Sequence, residues 1–260
     1  LNVLYALNDW LIIGDDGDVY SGSAYNAAVS AIYTDGDAAA LLAVRDTAWL
    51  VTTSGAIKRW DPDTTTFADF FDPALDLDVQ YVLHFRDYFM LFVTHQDGSM
   101  VIYRVPDHEP TYARQLALIP GETGYFTTST TYEGAKPFIL HQDNVYFSTG
   151  AYLSLDSSPD FEKVPIYLFD GNSVELVDIV DPVGDPWTYG FLSWKGELLL
   201  YFSSDAHQHI YQLTGDHFVK ILDTGTKMLD YGDIYSVGGE LIIPSEESGG
   251  ANDGIQMLRD

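Results

Sequence analysis

Cysteine is absent from this chain of 260 residues, so it can build no disulfide, thiolate nucleophile or Cys-ligated zinc site. Positive charge is scarce: 12 Lys and Arg face 39 Asp and Glu, for a net charge of −27. Phosphate recognition needs cations, so neither nucleic acid nor an anionic membrane surface is an expected partner. Such a surplus of carboxylates fits a strongly solvated surface, a saline habitat or a basic protein partner. No apolar run reaches the roughly 18 residues of a membrane span. A GxSxG elbow, an HExxH helix and a phosphate-cradling P-loop are all missing. No basic and apolar leader follows Leu1, so the chain reads as a mature or trimmed portion of something longer.

Strand-forming residues are plentiful, with 18 Tyr and 14 Phe. Thr47–Phe71 shows how they are organised. TAWLVTT is a β-branched and aromatic run, SG breaks it, AIKRW resumes it, DPDTTT breaks it again and FADFF closes it. Runs of strand formers bounded by turn residues predict a short antiparallel meander. The pattern recurs. Short turns at Asn8-Asp9, Arg45-Asp46, Arg86-Asp87, Gln142-Asp143, Lys195-Gly196 and Gly238-Gly239 each precede an apolar strand. Further runs follow each one, and a run before each turn supplies a first strand. Four strands per unit of about 40–50 residues predict an all-β, six-bladed β-propeller of four-stranded antiparallel blades. A single twisted sheet leaves both faces open, and packing sheets side by side covers them.

The sixth unit ends at Asp260 without a final strand. That strand is expected from residues outside Leu1–Asp260 or from a partner chain, because an open edge invites association. The segments Gly121–Lys136 and Tyr152–Val164 read as loop inserts in unit four. No linker divides the chain, so residues 1–260 read as one domain of a longer protein.

The stretch Trp60-Asp61-Pro62-Asp63-Thr64-Thr65-Thr66-Phe67 resembles the third-to-fourth strand turn of kelch-type propellers. There an aromatic, then Asp-Pro and Thr, lead to a Trp, and Phe67 stands at that position. Phe169-Asp170-Gly171 with Leu176 echoes it. The two glycines that kelch units carry after their second strand are not found here, so the resemblance implies the architecture rather than kelch membership. The aromatic-rich six-unit layout is also similar to propeller domains of bacteriophage tail proteins. Neither resemblance implies a catalytic set.

Few constellations carry chemistry. Asp15-Asp16-Gly17-Asp18 offers oxygens to calcium but lacks EF-hand spacing, and Asp-Gly is a common hairpin turn. Asp205, His207 and His209 alternate, which aims a carboxylate and two imidazoles at one face as a candidate metal set. A solvated polar turn competes with that reading. His84, His95, His108, His141 and His217 share no ligand spacing and read as packing or surface residues. Trp10, Trp49 and Trp60 fall in expected strands and read as core. Trp187 and Tyr189 follow the turn Asp185-Pro186 and are candidate binding residues, with core as the competing reading. Two carboxylates in a groove could hydrolyse a glycoside, but sequence order cannot set their separation.

The expectation is therefore a non-enzymatic interaction or structural module without a cofactor. A protein partner or the chain's own flanking segments would engage it, in a phage tail or another extracellular assembly. A secreted carbohydrate-acting hydrolase or lyase, with its site at the channel mouth, is the alternative.

Overall fold

The computed structural model describes residues 2–6, 9–22, 29–73, 78–94, 99–108, 113–119, 138–148, 164–181, 186–204, 208–223, 234–245 and 254–258. Every regular element among them is a β-strand, and no helix there is long and apolar enough to cross a membrane. The chain divides into two compact units, Leu1–Pro120 and Gly121–Asp260.

Unit 1 holds three four-stranded antiparallel sheets, each paired in chain order. Sheet one is β1 (Asn2–Ala6), β2 (Asp9–Ile13), β3 (Val19–Gly22) and β4 (Ser30–Tyr33). Sheet two is β5 (Ala38–Val44), β6 (Thr47–Thr52), β7 (Ile57–Asp61) and β8 (Thr66–Phe71). Sheet three is β9 (Asp78–Phe85), β10 (Tyr88–Thr94), β11 (Met100–Pro106) and β12 (Arg114–Ile119).

Unit 2 continues with β13 (Phe138–His141), β14 (Asn144–Ser148), β15 (Val164–Phe169) and β16 (Val174–Val180) as sheet four. Sheet five is β17 (Pro186–Trp194), β18 (Glu197–Ser204), β19 (Gln208–Thr214) and β20 (His217–Asp223). Sheet six is β21 (Tyr235–Val237), β22 (Glu240–Ser245) and β23 (Gly254–Leu258), three-stranded among the described residues as the sequence suggests.

The second strand of each sheet explains the apolar runs. Side chains alternate between faces along a strand. On β6, Ala48 and Leu50 join a cluster with Leu11, Val19 and Tyr33 of sheet one. Trp49 and Val51 join the opposite cluster, with Val82, Phe89 and Leu91 of sheet three. Both faces are covered, so the strand is continuously apolar rather than alternating. In unit 2, Leu198, Leu200 and Phe202 of β18 pack with Val164 and Ile166 of sheet four. Leu199 and Tyr201 pack with Leu241 and Ile243 of sheet six. Met90 to Val93 are likewise buried. Burying each such side chain stabilises by about 1.5–3 kcal/mol relative to leaving it in water.

One core expectation fails. Trp10 is 38% exposed. Its partner on β3 is Gly22, which brings no side chain to cover the indole.

Four of the sequence-marked turns are two-residue hairpins of one kind. At Arg45-Asp46, Gln142-Asp143, Lys195-Gly196 and Gly238-Gly239 both central residues have positive φ, the condition of a type I′ turn. That twist matches the twist of the strands they join. Sheet one meets sheet two through glycine. Gly17 has φ 77°, and a Cβ there would lie 2.3 Å from the Gly36 carbonyl oxygen. Its own carbonyl accepts a hydrogen bond from the Ala38 amide at 3.0 Å.

Candidate functional site

Three places in the described residues gather polar chemistry. The first is in unit 1, where the β9–β10 hairpin meets the end of β11. The Asp107 carboxylate is almost wholly buried, at 1% exposure. It contacts His84 Nε2 at 2.8 Å, His108 Nδ1 at 3.2 Å and the Arg45 guanidinium at 3.3 Å. Arg45 also reaches Asp87 at 2.5 Å. Burial raises the Asp107 carboxyl. Hydrogen bonds from the two histidines and the charges of Arg45 and His84 outweigh it, holding the group below the ordinary carboxylate range. His84 and His108 thus meet on one carboxylate despite sharing no ligand spacing. The cluster joins sheet two to sheet three and reads as a structural tie.

The second place is beside Trp60, also in unit 1. Trp60 is half-buried and packs on Phe67, with ring centroids 5.3 Å apart. It is a wall shared by two clefts, of about 520 Å³ and about 430 Å³. Half of the core reading therefore holds for Trp60, whereas Trp49 is buried as expected.

The third place is in sheet five. Tyr189 pairs with Phe202, Phe202 with His209, and His209 with Asp223, so the four form one cross-strand row. His209 is buried, and its Nε2 lies 3.2 Å from Asp223 Oδ2. Burial, then the charges of Asp181 and Asp223, push the nearby Tyr211 hydroxyl up to about 12. Asp205 and His207 lie outside the described residues. The backbone of Trp187 belongs to β17, at a bulge between Pro186 and Thr188, and Tyr189 follows on the same strand. The backbone register sets Tyr189 and His209 on either side of Phe202, two strands apart.

No group of three or more His, Asp or Glu among the described residues could hold a metal ion. The Asp16 carboxylate accepts the Asp18 amide at 3.0 Å and the Tyr20 hydroxyl at 2.6 Å. Asp18 accepts the Gly36 amide at 3.1 Å. These carboxylates close a turn and link it to the next sheet.

No family model and no curated protein matches this chain in sequence. Solved structures do match it in shape. A structure described as YCF48 bound to D1 peptide matches with TM-score 0.54 and 13% identity, covering 96% of this chain and 74% of that one. The β-propeller domain of the Trilobed protease from Pyrococcus furiosus, described as having an open velcro topology, matches with TM-score 0.53 and 11% identity. It covers 99% of this chain and 80% of that one. The chain has the β-propeller fold. An oligogalacturonate lyase in complex with manganese is similar too, with TM-score 0.56 and 11% identity over 97% of this propeller and 72% of that chain. At such identities the likeness speaks for architecture alone, and propellers of one shape host unrelated tasks.

Proposed function

We propose that this propeller is a non-enzymatic module of a longer protein that holds a protein partner within an extracellular assembly such as a phage tail. The supporting observation is the outer face of unit 2. β16 and β20 are the last strands of their sheets, and they carry Leu176, Ile179, Val219 and Ile221 at 41–50% exposure. Glu175 precedes Leu176 and Asp178 precedes Ile179, while Lys220 stands between Val219 and Ile221 and pairs with Asp223 at 3.3 Å. Outer strands offer unpaired backbone groups, and exposed aliphatic residues beside them suit an added strand. The net charge of −27 favours a partner segment that is apolar and basic.

The test is a photo-cross-linking residue at Val219 or Ile221 in the native particle, with Asp63 in unit 1 as the control site. Cross-links to a single neighbouring chain at the β20 sites, weakened by salt, are the expected result. Equal yields at Asp63 and at the β20 sites overturn the reading.

A further inference from the structure

We propose that the larger cleft beside Trp60 binds a neutral saccharide. This goes beyond the proposed function: the cleft lies in unit 1 and takes a small ligand.

The cleft opens between the outer strands β4 and β8, and its volume of about 520 Å³ lies in the range that holds a mono- to trisaccharide. Its lining is hydroxyl-rich, with Ser21, Ser30, Thr34, Thr65 and Thr66 around the Trp60 indole. No Asp, Glu, Lys or Arg lines it, in a chain that carries 39 carboxylates. The smaller cleft on the other side of Trp60 is different, with Arg59, Asp46, Asp61 and Asp69 in its walls. The neutral lining selects against ions. What remains is the chemistry that a pyranose matches: a ring face of C–H groups for an aromatic π-system, and hydroxyls that both donate and accept.

Two further observations single out this place. The indole N–H groups of Trp49 and Trp194 donate to the carbonyls of Val44 and Gly239, at 3.4 and 3.1 Å. Among the described residues the Trp60 indole N–H has no such acceptor, which leaves a donor for a ligand. Thr65 has φ 55°. A β-branched residue at positive φ is strained, and such residues gather where a site is held in shape. In the corresponding turn of sheet four the positive φ falls on Gly171. Thr65 is kept in place locally: its hydroxyl donates to the Thr64 carbonyl at 2.7 Å, and Asp61 Oδ2 accepts the Thr64 hydroxyl at 3.0 Å.

The experiment titrates the intact protein with maltotriose, cellotriose, chitotriose and mannotriose, with trigalacturonate as the charged counterpart. Indole N–H shifts and calorimetry are the readouts. At least one neutral trisaccharide binds and moves the Trp60 signal, and trigalacturonate binds about tenfold more weakly or not at all. Trp60→Ala lowers the affinity at least about tenfold, and Trp60→Phe retains part of it. Since Trp60 also packs on Phe67, a second variant avoids the core. Ser30→Tyr places bulk in the cleft from an exposed residue of β4, and abolishes binding without shifting the melting temperature. No binding of any of the four sugars up to about 10 mM overturns the proposal. Unchanged affinity in Ser30→Tyr, or a preference for trigalacturonate, overturns it as well. None of these readouts involves a protein partner, so this proposal and the proposed function can fail separately.

Discussion

In unit 1 the Arg45 guanidinium reaches from the first hairpin of sheet two to Asp87 in the first hairpin of sheet three. In unit 2 the equivalent hairpins are joined by neutral donors. Gln142 donates to the Gly196 carbonyl at 3.2 Å, and the Trp194 indole donates to the Gly239 carbonyl at 3.1 Å. The place in the fold is the same and the chemistry is not. Hairpin tips of neighbouring sheets come close enough for one hydrogen bond, and any donor that spans the gap will do. Unit 1 adds the buried Asp107 beneath its tie, which makes that junction sensitive to pH and salt. The two donors that join the hairpins of unit 2, an amide and an indole, are themselves uncharged.

Breaking what the units share has the largest effect. Leu199 is 1% exposed, among Tyr201, Ile210, Leu241 and Ile243. Leu199→Asp would bury a charge without a partner and is expected to cost at least about 4 kcal/mol, abolishing cooperative melting of unit 2. Circular dichroism against temperature checks it, and a melt like that of the parent protein would refute the packing.

Next come the glycines. Gly17→Ala combines positive φ with a backbone clash and is expected to cost about 2–3 kcal/mol by denaturant titration. Gly239 has φ 84°, but an added Cβ would find its nearest atom, Lys195 Cε, at 3.8 Å. Gly239→Ala is therefore a matter of backbone strain alone, about 1 kcal/mol. Equal costs at the two sites would show that the contact between Gly17 and Gly36 is not tight.

Asp107→Asn sharpens the contrast between units. Removing the charge leaves Arg45 and His84 without their buried partner, at a cost of about 1–3 kcal/mol near neutral pH. The sign with pH follows from its lowered folded-state pKa. The stabilisation is present above the ordinary carboxylate value and is lost as pH falls through the lower folded value. Hydrogen exchange at β9 and β11 should show protection falling with acid in the parent protein, with a smaller fall in Asp107→Asn. A parallel acid response in both would remove Asp107 as the cause.

These same contacts mark how far the sequence can be read. The second strands were legible because burial on both faces forces an unbroken apolar run, closed by turns that tolerate positive φ. The tie was not legible. Arg45 and Asp87 stand 42 residues apart, and His84 and Asp107 stand 23 apart, so only sheet packing brings them together. Register also decided His209, whose neighbour across the ladder is Asp223. Trp60 looked like core because strand position does not tell which end of a side chain a neighbouring sheet leaves uncovered.

The smallest effect is the most direct probe of the comparison. Arg45→Gln gives unit 1 the neutral donor that unit 2 uses at Gln142. Arg45 and Asp87 are 58% and 63% exposed, so water screens the pair and this pairwise part is worth only about 0.5–1 kcal/mol, apart from the separate cost of taking Arg45 away from the buried Asp107. A double-mutant cycle with Asp87→Asn isolates the pairwise part. At about 1 M salt, where screening acts within about 3 Å, the cost of Arg45→Gln should shrink. The cost of Gln142→Ala in unit 2 should not, because a neutral amide meeting a carbonyl has no net charge to screen. If both costs respond to salt alike, the tie in unit 1 works by reach and packing rather than by charge.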